Sequence, residues 1–377
     1  MLAVVSDLHL TDGTTGPFNV NPDAWDIFFE AVTRKRKRSG RDHGLTVVLA
    51  GDILDLLRST VWLEGQARPW SSVGLEEAAL RILRGVLEAN ADSLGRLRDY
   101  VRRNGASVVY VLGNHDRLVG RIRALKDEIT SALGPVDFRE GEYRDALHRA
   151  VVVHGHRWDP YNWEGGGRAP IGDAIVVELF NRYPLEVKAA FPGDGELHEV
   201  VGEMDNVRPL GNVPAWILWS TRVRSAATVR KLKAVWNGLV GRFLEIDFVG
   251  EWMKKHNSRL RLFDEADKLN MVLKGSRLVG FGAMDWMGRK LGRAAGEPAP
   301  GAGALGRDDL YLVAGHTHVA LTEALDAERV HFNAGTWRKV WVRTANGAFA
   351  GWKEMGCVMV YGPGARHRFA AWRGELL

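Results

Sequence analysis

Side chains of metal-binding type recur in this sequence just after short apolar runs. Carboxylate and amide oxygens and imidazole nitrogens are all ligands of divalent metal ions. Five groups of such residues occur in chain order: Asp7 and His9; Asp52; Asn114, His115 and Asp116; His154 and His156; and His316 and His318. Because the groups are far apart in sequence, a metal site can form only if the fold brings them together.

The residue types in this set narrow the kind of metal site. Mixed oxygen and nitrogen donors without cysteine are unlike a structural zinc site, and several histidines are unlike calcium or magnesium sites. The donors also exceed what one ion needs, so we expect two ions. Two metal ions about 3.5–4 Å apart form a clamp for in-line displacement at phosphorus. The set therefore predicts chemistry on a phosphate ester.

Short apolar runs precede all five groups and must position them. The runs are rich in β-branched residues and span 2–6, 45–50, 106–112, 149–153 and 309–314. Such runs are typical of strands buried on both faces of a sheet. Helix-like segments at 22–38, 75–103 and 117–132 alternate with them, which predicts an α/β layered fold. Sites in open α/β sheets form beyond the carboxyl ends of the strands, so we expect the five groups to converge there.

The region 165–308 interrupts this alternation. Its apolar residues recur at three- and four-residue steps from Trp216 to Phe243, which predicts one face of a helix. It closes with a stretch rich in Gly, Pro and Ala at 292–307, which predicts a loop. We therefore expect a core in two parts, 1–164 and 309–377, with a helical insertion (a cap or lid) at 165–308. Short strands are expected again at 329–333, 337–343 and 357–361.

Taken together, the five groups resemble a known family, the calcineurin-like metallophosphoesterases. The family pattern is D-x-H, G-D, G-N-H-D, a further H, and G-H-x-H. Here it reads Asp7-Leu8-His9, Gly51-Asp52, Gly113-Asn114-His115-Asp116, His154 and Gly315-His316-Thr317-His318. The match covers about 1–160 and 309–343. The resemblance implies a four-layer αββα sandwich with two sheets.

The resemblance also implies a role for each residue of the pattern. One metal ion would be held by Asp7, His9 and His318, the other by Asn114, His154 and His316, and both by Asp52. A hydroxide held between the ions would attack phosphorus. His115 would stabilise the transition-state oxygens or protonate the leaving group, and Asp116 would orient and charge its imidazole. Manganese, iron and zinc all suit these ligands, and we favour two manganese ions.

Contacts to the phosphate-ester substrate are expected around the third and fourth groups. In the family the fourth block is a histidine directly followed by glycine, which favours His154 as the metal ligand and His156 as a residue that faces the substrate. Arg117 and Arg157 are candidates to meet a phosphate group. Asn162 is a candidate hydrogen-bonding partner.

The substrate itself stays open at this point. A helical insertion between the fourth and fifth groups weakly resembles the UDP-2,3-diacylglucosamine pyrophosphatases, but this insertion is longer, and His115 stands where that subfamily typically has arginine. A basic chain rich in Trp and Arg could instead be a nuclease acting on DNA or RNA. A non-catalytic scaffold with the same fold is the third alternative. Hydrolysis of a phosphomonoester or phosphodiester is the leading hypothesis.

Composition sets the remaining expectations. The chain has 377 residues and one cysteine, Cys357, so no internal disulfide can form and a reducing compartment fits. We see no signal peptide and no transmembrane segment, so a cytoplasmic location is expected, with peripheral membrane contact left open. The pI is about 9.3, and the basic run Arg34–Arg41 predicts a solvated helix end or a surface that attracts phosphate groups. The sequence does not determine the oligomeric state.

Overall fold

The structure is a computed structural model that describes residues 1–16, 20–40, 44–257 and 302–375. Its strands are β1 (Leu2–Val5), β2 (Thr46–Ala50), β3 (Ser107–Val111), β4 (Asp137–Arg139), β5 (Glu142–Asp145), β6 (Ala150–Val153), β7 (Val207–Arg208), β8 (Tyr311–Ala314), β9 (Leu321–Ala324), β10 (Val330–Asn333), β11 (Lys339–Arg343), β12 (Phe349–Val360) and β13 (Phe369–Glu375). Its α-helices are α1 (Pro22–Arg38), α2 (Leu75–Ala89), α3 (Ala91–Asn104), α4 (Leu118–Arg121), α5 (Arg123–Leu133), α6 (Ile171–Ile175), α7 (Arg182–Ala190), α8 (Gly195–Gly202), α9 (Val213–Ser220), α10 (Ala226–Leu244) and α11 (Asp247–Lys255).

The strands form two sheets. Within the described residues, the larger sheet has the order β4-β3-β2-β1-β12-β11-β7, and β13 also pairs with β12. Strands β1 to β4 run parallel, and β12 runs antiparallel to β1. The smaller sheet has the order β5-β6-β8-β10-β9, with β6, β8 and β10 parallel. Parallel strands end at one edge of a sheet, so the loops after β1, β2 and β3 lie together, as do those after β6 and β8.

The two sheets pack face to face, with helices on the far side of the larger one. Alternate residues of the central strands explain this arrangement, because successive side chains of a strand point to opposite faces. Val4 and Val48 join a cluster between the sheets with Val152 and Val313. Their neighbours in β1 and β2 join a second cluster with the apolar faces of α1, α2, α3 and α5. The expected α/β sandwich of two sheets is thereby confirmed.

All five runs that precede the polar groups form strands, within one or two residues of the expected bounds. The helix expected at 75–103 is two helices, because Asn90 interrupts it and its side-chain amide donates to the carbonyls of Thr11 and Val86. The helix expected at 117–132 is likewise divided at Ile122, which is extended. Lys35–Arg38 of the basic run form the last turn of α1, as expected of a solvated helix end, and Arg41 lies outside the described residues.

Residues 165–257 are mainly helical but differ from the expectation in two ways. The single helix face expected between 216 and 243 is broken, because α9 ends at Ser220 and Ser225 caps a new helix by accepting the N–H of Thr228. Strand β7 also comes from this region and pairs in parallel with β11 in the larger sheet. The expected loop at 292–307 lies mostly outside the described residues.

The helices of 171–255 share an apolar cluster with the core. Trp216, Trp236 and Phe243 pack in one cluster that also contains Leu57, from the loop after β2, and Phe349 of β12. This packing places the segment beside the strand ends that carry the polar groups. Among the described residues, no helix is both long enough and apolar enough to cross a bilayer.

Candidate metal centre

The five polar groups lie directly after the carboxyl ends of β1, β2, β3, β6 and β8 and meet in one place. In the described residues, three sets of donors have ligand atoms within 4.8 Å of one another: the first is Asp7, His9 and His318, the second is Asp52, His154 and His316, and the third is His9, Asp55 and His115, which shares His9 with the first. These donors span more than 300 residues of chain. The fold therefore brings together all the groups that the sequence singles out.

The first donor set surrounds one carboxylate oxygen of Asp7. Oδ1 of Asp7 lies 3.3 Å from Nε2 of His318 and 3.8 Å from Nε2 of His9. The two histidine Nε2 atoms are 3.0 Å apart. Oδ1 of Asp7 is buried without a hydrogen-bond partner in the described structure, whereas Oδ2 accepts from Ser6 Oγ and the backbone N–H of His316. A buried carboxylate oxygen left unpaired is costly, and a cation would compensate it. The donor types and this oxygen fit a divalent ion.

The second donor set centres on His154. Its Nε2 lies 3.2 Å from Oδ2 of Asp52 and 3.2 Å from Oδ1 of Asn114. Its Nδ1 is 2.9 Å from the carbonyl of Ala50, which can only accept, so Nδ1 donates to that carbonyl and Nε2 is the nitrogen directed at the other donors. The His316 ring lies beside the His154 ring, with centroids 5.2 Å apart.

Asp52 lies between the two sets. Its Oδ2 is 3.2 Å from Nε2 of His154 and 3.8 Å from Nε2 of His9. Its Oδ1 accepts the backbone N–H of His115 at 2.8 Å, which fixes the orientation of the carboxylate. Of the donors described, Asp52 is thus the carboxylate within reach of both sets.

The backbone at the donors is unusual. Six non-glycine residues with positive φ are present in the described structure: Asp7, His9, Asp52, Arg149, His316 and His318. Five of the six are donors. The left-handed conformation costs non-glycine residues about 1–2 kcal/mol each, and such strain concentrates at functional sites. The turns after β1, β2 and β8 therefore hold the donor side chains in directions that a relaxed strand end would not give.

Three glycines allow these turns to approach one another. A Cβ atom at Gly51 would lie 2.5 Å from the ring of His154. A Cβ atom at Gly113 would overlap Asp52, and one at Gly315 would overlap Ser6 and Asp7. The glycine that precedes three of the five polar groups is thus needed for close packing, and at Gly51 also for a positive φ.

The charged groups of the cluster shift one another's pKa values. Burial acts to raise the pKa of Asp7, but His154, His318 and His9 together outweigh it, and the pKa of Asp7 lies well below its usual range. Burial acts to lower the pKa of His154, but Asp52 and Asp7 raise it to about 10. Burial and the neighbouring Arg208 hold the pKa of His318 well below its usual range, so His318 is neutral, the form that binds metals.

Asp55, which sequence analysis missed, holds two histidines of the site. Its Oδ2 contacts Nδ1 of His9 at 2.7 Å, and its Oδ1 contacts Nδ1 of His115 at 2.8 Å. Burial acts to lower the pKa of His115, but Asp55 and Asp52 raise it to about 9. Both oxygens of Asp55 are occupied, so we assign it to orienting these rings rather than to binding an ion. Its position three residues after Asp52 is the feature of the sequence that could have identified Asp55 as a site residue.

Asp116 does not orient His115, contrary to the sequence expectation. Its carboxylate accepts from the hydroxyl of Tyr110 at 2.5 Å and from the backbone N–H groups of Gly113 and Ile53. Burial and the negative charge of Asp52 raise the pKa of Asp116 to about 6. The side chain faces into the protein, where it ties the loop after β2 to the loop after β3.

His156 lies beside His154 but in different surroundings. Strand β6 ends at Val153, and His156 begins a short 3-10 turn, so the two histidines do not share a strand face. Its Nδ1 is buried without a hydrogen-bond partner in the described structure, and its ring lies edge-on to Trp163, with centroids 5.4 Å apart. Burial and the charge of His154 lower the pKa of His156 to about 2, so it is neutral.

The other expected substrate contacts are engaged with protein groups. Arg117 forms an ion pair with buried Asp173 and donates to the carbonyl of Pro69. Arg157 is exposed, donates to the carbonyl of Glu140 and lies over the ring of Trp163.

Asn162 supports the metal donors instead of facing open solvent. It accepts from the side-chain amide of Asn114 at 3.2 Å and donates to Asp159 at 2.8 Å. Oδ2 of Asp159 in turn contacts Nε2 of His316 at 3.0 Å. The turn after His156 thus orients Asn114 of the third polar group and His316 of the fifth.

Comparisons with known proteins show little similarity. No family model matches the chain, and no curated protein matches it. Among solved structures, the chain is similar to a dimetal phosphatase from Danio rerio, with 13% sequence identity and a TM-score of 0.29 over 98% of this chain and 97% of that chain. The weaker resemblance to the UDP-2,3-diacylglucosamine pyrophosphatases is not confirmed by these matches. We therefore infer function from the donor geometry.

Proposed function

We propose that this chain hydrolyses a phosphate ester with two divalent metal ions. The main support is that Asp52 lies 3.2 Å from His154 of one donor set and 3.8 Å from His9 of the other, and that Oδ1 of Asp7 is buried without a hydrogen bond in the described structure. When bound, two such ions supply an activated water and positive charge at the phosphoryl oxygens. In this proposal one ion would be held by Asp7, His9 and His318, the other by Asn114, His154 and His316, and both by Asp52.

His115 is the proposed proton donor. Oδ1 of Asp55 accepts a hydrogen bond from Nδ1 of His115 at 2.8 Å, and this carboxylate favours the protonated form of the ring. The other N–H is then directed away from Asp55 and can donate to the leaving-group oxygen. The His115 ring lies edge-on to His9, with centroids 4.6 Å apart, which keeps it next to the metal donors.

The test is hydrolysis of p-nitrophenyl phosphate and of its bis ester, with manganese, iron or zinc added and the bound metal measured by elemental analysis. We expect turnover of at least one ester, lost in Asp52→Asn and retained in Asp145→Asn, which changes a carboxylate in the smaller sheet. Absence of turnover of both esters by protein with two ions bound would contradict the proposal.

Two of the alternative functions considered from the sequence, a nuclease and a non-catalytic scaffold, stay predictions. The same purified protein and its variants test both. Cleavage of single- or double-stranded DNA or of RNA that is lost in His115→Ala would favour a nuclease. A non-catalytic scaffold would keep its biological role in Asp52→Asn. Comparison of the two esters separates a monoesterase from a diesterase.

A further inference from the structure

A buried cluster of arginines lies beside the candidate metal centre. Arg58 follows β2, Arg338 precedes β11, and Arg208 belongs to β7. All three surround Asp205: Nη2 of Arg338 is 2.9 Å from Oδ2 of Asp205, Nε of Arg58 is 3.6 Å from the same oxygen, and Nη1 of Arg208 donates to the Asp205 carbonyl at 2.6 Å. The predicted core and the segment 165–308 both contribute to this cluster.

Arg208 connects the cluster to the metal donors. Its Nη2 is 2.7 Å from Nδ1 of His318. Arg208 is partly exposed, whereas Arg58 is fully buried and Arg338 is 5% exposed. The cluster therefore begins at the metal donors and continues inward.

Positive charge predominates in the cluster as described. The guanidinium groups of Arg58 and Arg338 pair with the carboxylate of Asp205, and that of Arg208 donates to the Asp205 backbone carbonyl. All three guanidinium nitrogens of Arg58 are buried without a hydrogen-bond partner in the described structure. Buried cations without hydrogen-bonding partners are costly. Asp7 and Asp52, whose negative charges act on Arg208, are the proposed metal ligands, so bound cations and not the arginines would balance them.

We propose that Arg58, Arg208 and Arg338 form an anion subsite that holds a second phosphoryl group of the substrate, next to the one that reacts at the metal ions. This inference rests on the proposed function. It specifies the substrate class as a phosphate ester or anhydride whose leaving group begins with another phosphate, such as a diphosphate linkage. Arginine suits this task because its planar fork pairs with phosphate oxygens in two parallel hydrogen bonds.

The test compares binding of two probes, inorganic phosphate and inorganic diphosphate, to the metal-loaded protein by isothermal titration calorimetry, with metal content measured before and after. In Arg58→Gln we expect diphosphate affinity to fall by about tenfold or more, because a charge-assisted hydrogen bond is lost. Phosphate affinity should change by less than about threefold, because one phosphoryl group fills the metal centre alone. Arg58→Lys should recover part of the loss.

Controls separate binding from folding. Arg84→Gln removes an exposed arginine of α2 that pairs with Glu128, and should change neither affinity. The thermal unfolding midpoint of Arg58→Gln should not fall, because Asp205 keeps Arg338 as a partner. If Arg58→Gln does not fold, Arg208→Gln at its partly exposed position repeats the comparison.

Two results would overturn the inference. Equal weakening of both probes would mean that the arginines hold the reacting phosphoryl group itself. Unchanged affinities with a lowered unfolding midpoint would mean that the cluster is a structural ion network. Failure of the proposed function is distinct from both, since it would be the absence of ester hydrolysis by protein that holds two ions, whatever the two probes show.

Discussion

At the scale of single residues, His154 and His156 show how much surroundings decide chemistry. Both are buried histidines on either side of Gly155. The ring of His154 is fixed by the carbonyl of Ala50 and directs its other nitrogen at Asp52. Within the described ranges, the ring of His156 has no such orienting partner on Nδ1, and it lies against Trp163.

This difference gives the first prediction. His154→Ala should lower the metal content from about two ions per chain to about one, because the change removes a donor of the set that contains Asp52. Ester hydrolysis should fall by at least about 100-fold. His156→Ala should keep both ions. Elemental analysis of the two purified variants checks this, and the reverse pattern would mean that the two histidines have been assigned the wrong way round.

Asp55 gives the second prediction. In Asp55→Asn the carboxylate that orients His9 and His115 is lost, and removal of such an orienting group typically costs about 10–100-fold in metal affinity or activity. Competition with a chelator measures the affinity. Asp145→Asn is the matched control, because Asp145 also holds a histidine, His148, but in the smaller sheet. Equal metal affinity in Asp55→Asn and the wild type would rule out the orienting role.

The sequence predicts the metal donors better than it predicts the residues that orient them. Asp7, Asp52 and His154 stand directly after apolar strands, and strand ends converge in this kind of fold. Asp55 and Arg208 depend on contacts between loops, which no local pattern encodes. Asp116 was assigned to His115 because the two are adjacent in sequence, yet adjacent side chains of a turn face different ways.

At the scale of elements, the tight turns before the donors are the most demanding feature. Gly315→Ala would place a methyl group against Ser6 and Asp7. Overpacking of this kind costs about 1–3 kcal/mol, so we expect a lower urea midpoint and weaker metal binding. Gly95→Ala, in the interior of α3, should instead raise stability by about 0.5–1 kcal/mol, because the nearest atom is 3.9 Å away and helices favour alanine. A Gly315→Ala protein as stable as Gly95→Ala would contradict this account.

The hairpin of β5 and β6 gives a prediction about acid stability. The carboxylate of Asp145 accepts from the ring and the backbone N–H of His148, and although burial acts in the opposite direction, these bonds lower the pKa of Asp145 to about 2. A depressed folded-state pKa stabilises the fold above the unfolded value, about 3.9, and this stabilisation is lost as the pH falls through about 2. We expect Asp145→Asn to cost about 1 kcal/mol at pH 7, a reduced figure because the pair is partly exposed.

Urea unfolding of the wild type and Asp145→Asn between pH 7 and pH 3 measures this contribution. The difference in the free energy of unfolding should be constant down to about pH 5 and then narrow. A difference that stays constant across the whole range would show that hydrogen bonding by the neutral group, not the charge, accounts for the effect.

Helices and strands can be predicted from the sequence where the spacing of apolar residues stays the same along the whole element. The five apolar strands and α1 follow from such runs. Strand β9 has exposed and partly exposed residues, and β7 has two residues, so neither carries a run to detect. The long helix expected from Trp216 to Phe243 fails at Val223, which is 83% exposed, because a capping serine, Ser225, begins a new helix there.

At the scale of the whole molecule, Cys357 reports on global unfolding. It lies in β12, is 2% exposed, and burial raises the pKa of its thiol. The reactive form is the thiolate, so we expect essentially no labelling by a thiol reagent in the native protein and full labelling in urea. Ser72→Cys, at an exposed position before α2, should label at once and serves as the positive control. Rapid labelling of Cys357 in buffer would mean that β12 opens without global unfolding.

The position of β1 has a consequence for biosynthesis. Its four residues lie in the middle of the larger sheet, between β2 and β12, with Leu2 opposite Val360. One edge of this strand therefore stays unpaired on the ribosome until residue 360 has been synthesised and released from the exit tunnel. Unpaired strand edges are sites of association between chains. If translation stops between β11 and β12, the truncated chain therefore keeps an open sheet edge. We expect such a chain to aggregate or to be bound by chaperones and not to function as a smaller protein.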